Sequence, residues 1–66
     1  MSDFKSRLEV EKTELDEKLT KLSAFLRSEA FTCIDKRQQE LLKEQVVVMR
    51  EYSVILRLRI ALLAND

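Results

Sequence analysis

The stretch "VVVMREYSVILRLRIALL", residues 46–63, decides the fold. It is as apolar as a buried core, in a chain of 66 residues with little else to cover it. Arg50, Glu51, Arg57 and Arg59 interrupt the run, and each charge held at mid-bilayer costs a few kcal/mol, so a membrane span is excluded. A helix is the alternative. The chain contains no glycine and no proline, the two residues that punctuate strand-rich folds of this size. Abundant Leu, Glu, Lys and Arg favour long helices.

The quoted stretch belongs to a helix expected from about Lys36 to about Leu63, on the order of 40 Å long. In it Leu41, Val48, Ile55 and Leu62 recur every seven residues. Leu42, Met49, Leu56 and Leu63 do the same beside them, with Tyr52 between. Both lines together read as one broad face that receives a first helix. Val47, Val54, Leu58 and Ala61 make a second, narrower stripe, flanked by Arg50 and Arg57.

That first helix is expected over about residues 3–27. From Phe4 the apolar positions Leu8, Leu15, Leu19, Leu22, Phe25 and Leu26 keep helical spacing along one face. The pairs Glu14–Lys18 and Glu17–Lys21 have the favourable orientation, worth a few tenths of a kcal/mol each. Between Leu8 and Leu15 the inward positions are Glu11 and Lys12, so the first turns are expected to fray or to be covered by another chain. The joint spans 28–35. Without glycine it should be a compact helical turn, with Ala30, Phe31 and Ile34 folded inward over the end of the pair. Asp35 followed by Gln38 reads as a capping box that starts the second helix.

A chain this short is one domain, 1–66, near the size where a single core barely suffices. The remedies are disulfides, a metal or association. Cys33 is the only cysteine and there is no histidine, which removes the first two. The expected fold is all-α: an antiparallel two-helix hairpin that oligomerises into a helical bundle. The narrow stripe Val47, Val54, Leu58 and Ala61 is the candidate oligomer interface, and the chain's first expected partner is itself.

The same inventory bounds function. Without histidine or glycine there is no imidazole base, phosphate-cradling loop or nucleophile elbow, so no enzyme, metal site or cofactor is expected. Twelve basic residues balance twelve acidic ones, and neither DNA nor a membrane is an expected partner. The charged N-terminus lacks a signal peptide's apolar stretch, and a lone thiol suits a reducing compartment, so a cytoplasmic setting is expected. Cys33 reads as a small half-buried joint residue.

The informative residues are basic. Lys36, Lys43, Arg50 and Arg57 form a ridge at seven-residue spacing, and Arg59 and Tyr52 lie further round the helix. These cations either cover apolar surface and pair with Glu40, Glu44 and Glu51, or hold an anion. Arg50, Arg57 and Arg59 lie in the most apolar part of the chain. Only Glu51 and Asp66 are near them in sequence. A desolvated guanidinium wants a carboxylate or phosphate, and an aromatic beside it is what a base stacks upon. Arg50, Tyr52, Arg57 and Arg59 are therefore the candidate ligand-binding residues.

The segments "ELDEKLTKLSAFLRSEAF" (14–31) and "QQELLKEQVVVMREYSVILRLRI" (38–60) resemble a group of short helical accessory proteins of tailed bacteriophages and prophages. The resemblance implies a phage protein acting in the cytosol of an infected bacterium. Some such proteins are oligomeric sponges that capture nucleotide signals of bacterial immunity. By analogy the four candidate residues would hold a cyclic nucleotide's phosphates and stack on its base. Two other uses fit the same sequence: docking of the narrow stripe on a host defence protein, as inhibitor or adaptor, and a purely structural assembly role.

Overall fold

A computed structural model describes residues 2–64. Three helices follow one another: α1 (Ser2–Leu26), α2 (Glu29–Thr32) and α3 (Lys36–Ala64). The two long helices pack side by side. Ser53 meets Asp16 and Arg59 meets Phe4, so α3 descends as α1 rises.

The seam between them follows an alternating three- and four-residue step, which keeps one narrow line of each helix facing the other. On α1 it runs through Leu8, Lys12, Leu15, Leu19, Leu22 and Leu26. On α3 it runs through Gln39, Leu42, Val46, Met49, Ser53, Leu56, Ile60 and Leu63. All of these are buried or half-buried. The buried set is small: Leu8, Phe31, Val46 and Leu56, of which only Leu56 is fully buried among the described residues.

This corrects the expected broad face. Leu42, Met49, Leu56 and Leu63 do face α1, but Leu41, Val48, Ile55 and Leu62 stand exposed on the outside. A single neighbouring helix covers about two adjacent lines. The second line α1 covers is Gln39, Val46, Ser53 and Ile60, which lies on the other side of Leu56.

The first turns of α1, expected to fray or to need another chain, are regular helix. The helix is continuous from Ser2, and Leu8 is buried. The Lys12 ammonium donates to Asp16 Oδ2 at 2.6 Å, and Ser53 Oγ donates to Asp16 Oδ1 at 2.6 Å. The Ser53–Asp16 bond is thus a clasp between the helices, and Lys12 braces its carboxylate from within α1. Lys12–Asp16 is the only ion pair among the described residues, so Glu14–Lys18 and Glu17–Lys21 do not close.

The joint shows why glycine is dispensable. No described residue adopts a positive φ. The end of α1 is satisfied by tight bonds instead: Arg27 N–H to the Ala24 carbonyl, and both the Ser28 N–H and hydroxyl to the Phe25 carbonyl. The short α2 then turns Phe31 inward, edge-on to Phe25 with centroids 6.0 Å apart. Ile34 is half-buried, whereas Ala30 is exposed, so the plug is smaller than expected. Asp35 Oδ2 accepts from the Arg37 N–H at the start of α3. The reach back into the joint comes from Gln39, whose amide donates to the Ile34 carbonyl, and not from Gln38.

The result is a rod of 48 × 15 × 13 Å. Its radius of gyration is 15.1 Å, against about 11 Å for a compact chain of this length.

Candidate ligand-binding surface

The four candidate residues all sit on α3 but not on one side of it. Residues seven apart share a line, whereas residues two apart are separated by about 200° around the helix. Arg50 and Arg57 therefore occupy one flank of the seam, and Tyr52 and Arg59 the other. One chain cannot gather all four around one small molecule.

The two flanks differ in surroundings. Arg57 borders a shallow depression of about 380 Å³ together with Glu9, Lys12, Thr13, Asp16 and Ile60. Carboxylates and cations alternate there, and Asp16 is already engaged. Its carboxyl is held below its ordinary value of 3.8, first by the Lys12 hydrogen bond and then by the Ser53 hydroxyl, against a smaller opposing push from burial. Arg50 is exposed further along the same flank.

On the other flank Arg59 lies over the Phe4 ring, its guanidinium carbon 6.0 Å from the ring centroid. Tyr52 is exposed one heptad away. Two aromatics and a guanidinium thus share a side with no acid bound to the arginine. Sequence reasoning missed Phe4, because only the antiparallel register brings residue 4 beneath residue 59. It also missed Asp16–Ser53. Its one local signal is a serine on the line of Val46 and Ile60, seven residues from each.

Charge is distributed unevenly. The range Lys36–Ala64 carries six basic residues (Lys36, Arg37, Lys43, Arg50, Arg57, Arg59) against three acidic ones (Glu40, Glu44, Glu51), a surplus of three positive charges. Among the described residues none of Arg50, Arg57 and Arg59 has a carboxylate within ion-pair distance, so the expected pairing with Glu40, Glu44 and Glu51 is not formed. Asp66 lies outside the described residues. The residues of the candidate interface, Val47, Val54, Leu58 and Ala61, are exposed.

Cys33 is exposed, not half-buried, because α2 turns Phe31 and not its own C-terminal end toward the core. Among the described residues no group of acids and thiols is placed to hold a metal ion. No helix among them is long and apolar enough to cross a membrane.

Fold and surface together define a short all-α hairpin protein whose depressions are open to solvent and whose α3 flanks carry uncommitted guanidinium groups. The chain belongs to the Sequestin family, whose model matches residues 2–62. Comparisons with curated proteins and with solved structures returned no match.

Proposed function

We propose that this chain captures a phosphate-bearing small molecule of the cyclic-nucleotide type and keeps it from its receptor, without chemical turnover. In this reading it is a phage-encoded counter to bacterial immune signalling, acting as an oligomer in the cytoplasm of the infected cell. The observation that carries it is the set of three exposed α3 arginines with no carboxylate within ion-pair distance among the described residues. Such groups favour a bidentate anion, and phosphate has that geometry. A family name that denotes sequestration supports the same reading. Arg59 and Tyr52, with Phe4 alongside, form the flank best suited to a phosphate beside a stacked base. Arg50 and Arg57 supply positive charge on the opposite flank.

Calorimetry with a panel of cyclic nucleotides and cyclic ADP-ribose isomers tests this. Binding is expected for at least one, and Arg59→Ala should weaken it at least about tenfold, the loss expected for a charge-assisted contact. No heat and no thermal shift with any member overturns the reading. The exposed Val47, Val54 and Leu58 favour a second reading, docking on a host protein. Under that reading the nucleotide panel is silent and the purified chain binds a defence protein directly.

A further inference from the structure

We infer that the outer line of α3, Leu41–Val48–Ile55–Leu62, is where a second copy of this chain docks, α3 against α3. Tyr52 and Arg59 border that seam, so a ligand held there would touch both copies. The ligand clause rests on the sequestration reading; the docking surface does not.

The hairpin's choice of face points to this line. Either line beside Leu42–Leu63 could have faced α1. The hairpin covers the one containing Gln39 and Ser53 and leaves outside the one made entirely of Leu, Val and Ile. A self-sufficient hairpin would hide the greasier line. The four outer residues are 53–69 % exposed.

The exposed area points the same way. The accessible surface is 5378 Å², whereas a compact monomer of this mass exposes about 4,400 Å². The surplus, roughly 1,000 Å², is close to the ~800 Å² that each partner contributes to a standard stable interface.

Shape agrees with both. The line spans three heptads, about 30 Å, nearly straight along the rod. A strict seven-residue repeat is matched by another helix with the same repeat, which the outer line of a second copy provides. Self-complementary patches of this kind close two-fold pairs. The alternative line through Val47 and Val54 is poorer: its heptad neighbours are Glu40 and the small Ala61.

Light scattering and sedimentation of the whole chain, without ligand, test the inference. Wild type should weigh more than one chain. Ile55→Glu should fall to the mass of one chain with its helicity kept, and Val54→Glu should keep the wild-type mass. A single-chain wild type overturns the inference. So does an Ile55→Glu variant of unchanged mass, and loss of assembly in Val54→Glu alone moves the interface to the other line. If Ile55→Glu loses helicity together with mass, the wild-type melt decides. A Tm that climbs over a roughly hundredfold range of protein concentration upholds the copy–copy seam, and a flat Tm overturns it. Mass that falls as expected in a protein deaf to every nucleotide would retain the interface and discard only the ligand.

Discussion

Leu56 and Ile55 are neighbours in sequence and opposites in the structure: one is 0 % exposed against α1, the other 53 % exposed on the outer line. Both belong to unbroken apolar heptads. The difference shows that hydrophobicity chooses which residues want a partner, while the polar clasp helps to choose which partner they get. Ser53 reaches Asp16 only when α1 lies on the Ser53 side of Leu56, whereas the Lys12–Asp16 pair closes within α1 itself. The outer line has no such match on α1.

The sharpest way to break this contrast is a paired truncation. Leu56→Ala should cost about 3 kcal/mol at any protein concentration, since it empties the best-buried position. Ile55→Ala should cost the isolated hairpin under about 1 kcal/mol, its larger effect being on association. Chemical denaturation followed by circular dichroism at several concentrations separates the two. Equal, concentration-independent losses would erase the distinction between the faces.

A smaller effect is expected at the clasp. Ser53→Ala removes one charge-assisted donor from Asp16 and should destabilise the hairpin by about 1 kcal/mol. No change in the denaturation midpoint would mean that apolar packing alone sets the face. The smallest effect is in pH. Because folding lowers the Asp16 pKa, its contribution is fully present above 3.8 and is lost as pH falls through the lower folded value. The Lys12–Asp16 pair is partly exposed, so solvent screening holds this to under about 1 kcal/mol. Melts at neutral pH and near pH 3 should show that acid-dependent loss in wild type and a smaller one in Asp16→Asn.

Much of the fold was legible in the residues. The lack of glycine and proline, the leucine spacing of α1 and the heptads of α3 predict an all-helical chain with two long helices, and α1 does pack on α3. Asp35 was legible as a helix start, and Phe31 as a plug. The face was not. Two apolar lines that flank Leu42–Leu63 look alike to a periodicity argument, and the deciding hydrogen bond joins residues 37 apart. Of the candidate site, the residue types were legible and their grouping was not. Arg50 and Arg57 part from Tyr52 and Arg59 because a helix separates residues two apart, and Phe4 enters only through the register.

The slender cross-section has a consequence for counting. A backbone only 13–15 Å across is two helices side by side and cannot wrap a nucleotide-sized molecule within its own walls, so any guest fully withdrawn from water needs walls from more than one subunit. Stoichiometry then reports geometry. One guest for every two subunits places it on a symmetry axis, and one for each places two guests off it.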